Sequence, residues 1–246
     1  MNELNGHPER IIPDGTGGGA LASHLKRYQF AEKYCSGRTV LDAACGVGYG
    51  SFHLGDVASS VVGADFSDEA LEYGRRRYVR PNVRFCRADV HALPFVPGSF
   101  EVACSFETLE HVEQPAHLVR EVSRVLTAAG LFLVSTPAVQ ATNFQPVNPH
   151  HRVEYDRADF EEILRRFFGE VQILGQRRHQ SRAHAWLQRA DGFGVRTKMP
   201  RALRRAVVAG SATVAWEDVS VDDIVIDGAA LNGASEFVAV CRFPTK

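Results

Sequence analysis

Apolar residues along this chain gather in short runs separated by amphipathic stretches. Runs at 39–43, 60–64, 83–88, 102–105 and 131–136 are rich in Val, Leu, Phe and Ala, and each ends at a polar or glycine-containing turn. Such runs predict buried strands. Leu118, Val122, Val125 and Leu126 recur at helical spacing between two of them, and Leu21, Leu25, Tyr28 and Ala31 do so over 20–34. Strand–helix alternation with apolar strands predicts a mostly parallel sheet covered on both faces. Two later runs, 171–174 and 236–242, bring the expected total to seven strands. The fold class is therefore α/β: a Rossmann-like seven-stranded sheet flanked by helices, with an insertion before the last strand. One domain over 1–246 is expected. It divides into a leader at 1–35, a cofactor-binding core at 36–176, a substrate-side insertion at 177–234 and a last strand at 235–246.

The first strand runs into Asp42-Ala43-Ala44-Cys45-Gly46-Val47-Gly48-Tyr49-Gly50. Glycines here let a ligand lie against bare backbone N–H groups at a helix start. The second strand ends in Asp65, a carboxylate suited to ribose hydroxyls, so the pair points to a nucleoside cofactor. The dinucleotide pattern G-x-G-x-x-G is missing, since position 51 is Ser. A carboxylate at Asp42 would also repel a pyrophosphate. It would suit a ligand bearing an amino group or a sulfonium. Phe66 offers a ring for one face of an adenine, and Asp89 an acceptor for its amino group. Either Asp could equally be a turn former or helix cap.

The segment Asp42-Ala43-Ala44-Cys45-Gly46-Val47-Gly48 resembles motif I of the class I S-adenosylmethionine (SAM)-dependent methyltransferases, and the likeness extends over roughly 36–137. The resemblance implies that Gly46 and Gly48, beside Asp42 and Ala44, face the methionine end of SAM. It places Asp65 on the ribose, Asp89 and Val90 on the adenine, and Phe106 in the wall near the methyl group. His24-x-x-Arg27-Tyr28-x-Phe30-Ala31 resembles a leader helix of bacterial sugar-pathway methyltransferases, which would bring Tyr28 or Arg27 to the SAM carboxylate. Packing of Tyr28 and Phe30 into the core is the alternative.

Glu107-Thr108-Leu109-Glu110-His111 follows the fourth strand. A helical turn would put Glu107, Glu110 and His111 on one face. Carboxylates and an imidazole can hold a divalent cation. The E-x-x-E-H pattern resembles one in ubiquinone-pathway O-methyltransferases, which implies a metal, Mg2+ by preference. A helix start that favours negative charge is the plain alternative. Further on, Asn148-Pro149-His150-His151-Arg152-Val153-Glu154-Tyr155 resembles the N-P-x-H-x-x-E-Y loop of small-molecule methyltransferases. Methyl transfer needs an aligned acceptor and, for a hydroxyl, removal of a proton. Imidazole suits that step, which makes His151 the first choice for the base and His111 the second.

Composition narrows the function classes. The chain has 246 residues, 45% hydrophobic and 23% charged, with a net charge of -1. Such values describe an ordinary globular protein and count against a globally basic nucleic-acid binder. No run approaches the ~20 apolar residues of a membrane span. Five scattered cysteines without a C-x-x-C pair fit a reduced, cytoplasmic setting. Residues 177–210 carry nine Arg and Lys against the single acid Asp191, a face for solvent or for a homodimer. The expected activity is methyl transfer from SAM to a hydroxyl of a small polar metabolite, a sugar or glycoside first. An amino-sugar N-methyltransferase is the alternative. A nucleic-acid methyltransferase, a non-catalytic SAM binder and a nicotinamide oxidoreductase rank behind.

Overall fold

The computed structural model describes residues 10–178 and 219–245. Helix α1 (Gly18–Cys35) leads into β1 (Thr39–Ala43), α2 (Tyr49–Leu54), β2 (Ser60–Asp65), α3 (Asp68–Arg77), β3 (Val83–Arg87) and β4 (Phe100–Phe106). Then come α4 (Pro115–Val125), β5 (Leu126–Pro137), α5 (Arg157–Arg165), β6 (Phe168–Arg178), β7 (Ile224–Asp227) and β8 (Glu236–Pro244). The strand order is β3-β2-β1-β4-β5-β8-β6-β7. The first five in that order pair in parallel. Strand β8 runs antiparallel between β5 and β6, and β7 pairs antiparallel at the edge.

Period-two alternation in the strands builds two core layers. Val40, Val102 and Leu133 face the layer shared with Tyr28, Ala31 and Cys35 of α1. Their neighbours Leu41, Ala103 and Phe132 face Leu118 and Val122 of α4 and Phe160 and Leu164 of α5. Local chemistry sets the helix ends. The Ser67 hydroxyl caps α3 by accepting from Ala70 N–H, with Asp68 and Glu69 in the first turn and Arg75, Arg76 and Arg77 in the last. Asp156 caps α5 by accepting from Asp159 N–H. Pro115 opens α4.

Among the described residues the sheet has eight strands, which corrects the expected seven. The additional strand, β7, lies inside the segment read as an insertion. Its four residues fall among acids and lack the length of the other apolar runs. Strand β6 likewise continues to Arg178, past the expected end at 174, because its last residues pair with β7. Leu126 belongs to β5 and not to the α4 face. Helix α1 begins at Gly18, inside the glycine-rich stretch 14–19. The remaining basic residues of 177–210 from Arg182 onward, with Glu217 and Asp218, lie outside the described residues, as do residues 1–9.

Candidate active site

All five parallel strands deliver their carboxyl ends to one edge of the sheet, where ligands of open α/β sheets bind. At the end of β1 the chain turns through Ala44 (φ 60°), Gly46 (φ 57°) and Gly48 (φ 85°). A Cβ on Gly48 would stand 2.3 Å from the Phe85 ring, and one on Gly50 would stand 1.9 Å from the Tyr28 ring. The glycines therefore let α2 approach both α1 and β3. Asp65 stitches the turn to β2: its Oδ2 accepts from Gly46 N–H at 2.8 Å and its Oδ1 from Ser67 N–H at 2.9 Å. It is a turn former by geometry, and each oxygen keeps a further lone pair.

Asp42 is 1% exposed. It accepts from the Ser51 hydroxyl at 2.6 Å and from the Tyr28 hydroxyl at 3.2 and 3.3 Å. Burial pushes its pKa up to about 7, against the two hydroxyl donors that favour the charged form; the nearby Asp65 charge adds to the rise. A buried carboxylate held by neutral donors is an electrostatic vacancy for a cation. Tyr28 packs into the core, the alternative reading of the leader helix: its ring stands edge-on against Tyr49 and Phe106, and its hydroxyl donates to Asp42. His24, one turn earlier, shares a hydrogen bond with the Tyr49 hydroxyl at 3.1 Å, and burial keeps its ring neutral.

At the other strand ends, Phe66 is 70% exposed with the Arg87 guanidinium 5.5 Å from its ring centre. Asp89 accepts from the His91 N–H at 2.9 Å and lies 2.7 Å from His91 Nδ1. The backbone bond, foremost, holds its carboxyl below the usual range. Val90 is half-buried against the α4 side of the core, and Phe106 is buried against Tyr28.

The expected helical turn at 107–111 does not form. Glu107 sits in the left-handed region (φ 52°), which breaks the helix at its first residue. Its carboxylate turns to Ser135, whose hydroxyl donates to Oε1 at 2.7 Å while accepting from Glu107 N–H at 3.1 Å. The Arg27 guanidinium, 1% exposed, stands 4.0 Å from Glu107 and 4.0 Å from Glu236. Glu107 therefore does not share a helical face with Glu110 and His111. Among the described residues the group close enough to share an ion is Glu110, His111 and His151, with ligand atoms within 4.8 Å of one another.

This cluster is built by the loop after β5. Arg152 and Val153 donate their N–H groups to the Glu110 carbonyl, at 2.6 and 3.3 Å, which fastens the loop over the turn. His111 Nδ1 donates to the His150 carbonyl at 3.0 Å, so the neutral ring keeps its lone pair on Nε2, 3.8 Å from Glu110 Oε1. His151 Nδ1 lies 2.8 Å from Glu154 Oε1, which orients that ring in the same sense. Glu110 is 1% exposed; its Oε2 accepts from the Thr136 hydroxyl at 3.0 Å, whereas Oε1 has no hydrogen-bond partner. Burial, with the Glu107 charge behind it, pushes its pKa well up. An orphaned buried carboxylate oxygen facing two imidazoles fits a divalent cation. Sequence reasoning missed Ser51, Ser135, Thr136, Glu154 and Glu236. Only Glu154 had a signal, its place in the loop motif; Ser51 is brought in by the first turn of α2, and Ser135, Thr136 and Glu236 by sheet register.

Residues 41–134 match the family described as a methyltransferase domain. The likeness to methyltransferases thus falls on the stretch that carries β1 to β5. A probable S-adenosylmethionine-dependent methyltransferase of Mycolicibacterium smegmatis is 37% identical over 144 residues, covering 57% of this chain and 55% of that protein. A ubiquinone biosynthesis O-methyltransferase of Albidiferax ferrireducens is 32% identical over 105 residues, covering 41% and 42%. The chain thus spans little more than half the length of the mycobacterial relatives it matches. A solved SAM-dependent methyltransferase of Mesorhizobium loti shares the fold of the methyltransferase domain, with a TM-score of 0.58 at 17% identity, covering 92% of this chain and 100% of that one. No helix among the described residues is long and apolar enough to cross a membrane.

Proposed function

We propose that this chain transfers the methyl group of SAM to a hydroxyl of a small polar acceptor, a sugar or glycoside before a phenol. The observation that carries the reading is the pairing, on one sheet edge, of a cation-seeking carboxylate at Asp42 with a loop histidine held by a carboxylate. Asp42 would receive the methionine amino group. Asp65 and Asp89, with Phe66, would hold the nucleoside. His151, its Nδ1 engaged by Glu154, would use Nε2 to take the hydroxyl proton as the oxygen attacks the methyl carbon. A glycan-type acceptor is favoured by the hydrogen-bonding groups gathered here, Glu107, His111 and His151. The O-methyltransferase named for the Albidiferax relative keeps a phenol in play.

Alternatively, a divalent ion held by Glu110, His111 and His151 would lower the pKa of a bound hydroxyl, and His151 Nε2 would then be a ligand in place of the base. Two imidazoles and one carboxylate form a softer set than Mg2+ prefers, and suit a transition-metal ion better. The decisive experiment is transfer of labelled methyl from SAM to a panel of sugars, glycosides and catechols. His151→Ala should lower kcat by roughly 10²–10⁴-fold with S-adenosylhomocysteine affinity unchanged, and Glu154→Gln should fall between. Full activity in His151→Ala would discard the base role and favour an amine acceptor, which needs less help with its proton.

A further inference from the structure

A cavity of about 330 Å³ opens beyond the carboxyl end of β6, beside the start of β8. It is lined by Ser23 of α1, Arg177 and Arg178 of β6, and Asn232, Gly233 and Ser235 of the connection into β8. No carboxylate is among these lining residues, while two guanidiniums are. The Nε of Arg177 is buried without a hydrogen-bond partner. A buried donor left unpaired is destabilising, and an incoming acceptor relieves that cost. Guanidinium groups match phosphate and carboxylate oxygens in geometry as well as charge.

The cavity also stands near the reacting groups. Pro137, Glu236 and Gln176 are in register across β5, β8 and β6, so the cavity shares the edge that carries Ser135 and Glu107. Ser23 lies one helical turn before Arg27, about 6 Å along the axis, and Arg27 is 4.0 Å from Glu107. The cavity residue Ser235 directly precedes Glu236, and Arg27 stands 4.0 Å from both Glu236 and Glu107, which ties the cavity to the reacting edge. A volume at the low end of ligand pockets suits a small group.

We infer that this cavity receives an anionic group of the methyl acceptor, so that the substrate is a sugar bearing a phosphate or a carboxylate. The inference rests on the methyltransferase reading above and deepens it. The test uses the whole chain saturated with S-adenosylhomocysteine, titrated calorimetrically with glucose 6-phosphate, glucuronate, glucose and inorganic phosphate. At least one anionic sugar should bind tenfold or more tightly than glucose, and inorganic phosphate should compete with it. Which sugar wins identifies the phosphate or the carboxylate. Arg177→Gln should lose that tenfold preference, Arg177→Lys should keep part of it, and S-adenosylhomocysteine affinity should be the same in all three proteins. Equal binding of glucose and both anionic sugars by the unaltered chain, or a preference that survives Arg177→Gln, overturns the inference. Failure of the unaltered chain to bind S-adenosylhomocysteine overturns the methyltransferase reading instead.

Discussion

Asp42 shows how one buried carboxylate can couple stability to ligand binding. Its pKa near 7 means that the folded chain holds a proton there which the unfolded chain releases near 4. A raised folded-state value gives stability that is complete at low pH and is lost as pH rises through about 7. The cost of the charged form is on the order of 4 kcal/mol, at about 1.4 kcal/mol per pKa unit. Asp42→Asn should therefore stabilise the ligand-free protein most at pH 8, with the gain shrinking as pH falls from about 7 and vanishing below about 4, measured by urea unfolding. The same substitution should weaken SAM binding at pH 8 by tenfold or more, since a charge-assisted hydrogen bond contributes about 1.5–3 kcal/mol. In the unaltered chain SAM should bind more tightly at pH 8 than at pH 6. Pocket residues that loosen binding without this pH signature would place the amino group elsewhere.

The α1–α2 contact is the element on which the cofactor turn depends. Gly50 faces the Tyr28 ring so closely that an added methyl would stand 1.9 Å from it. Gly50→Ala should destabilise the fold by about 1–3 kcal/mol or more, as overpacking does, and should weaken SAM binding by moving Tyr28 off Asp42. A thermal melt with unchanged midpoint would show that α1 swings freely and is no part of the turn. Most of this architecture was legible beforehand. The parallel strands announce themselves by apolar runs buried on both faces, and the glycine turn by its spacing. Edge strand β7 was hidden because four residues among acids carry no distinctive period. The metal-type cluster was half legible: Glu110 and His111 are neighbours in the chain, but His151 arrives through backbone bonds to the Glu110 carbonyl. Glu107 was misplaced because a positive φ at a non-glycine residue leaves no trace in composition.

At the scale of the whole molecule, cofactor binding should be visible as added stability. Ligand at a hundred times its dissociation constant contributes about 2.7 kcal/mol. For a chain of this size that corresponds to roughly 5–10 °C in Tm. S-adenosylhomocysteine should produce such a rise and NAD should not; a flat response to the first would refute the cofactor assignment. The sheet also sets an order of events. Strand β8 lies between β5 and β6, which have no pairing with each other without it. The β5–β8 ladder joins residues about a hundred positions apart, from Leu131↔Arg242 to Pro137↔Glu236. Such distant closure is slow. On the ribosome, strands β1 to β5 can therefore pair early, while the β6 side stays open like an unfastened zip until residues 236–244 emerge. A nascent chain stalled before that point would be expected to bind cofactor and to methylate nothing.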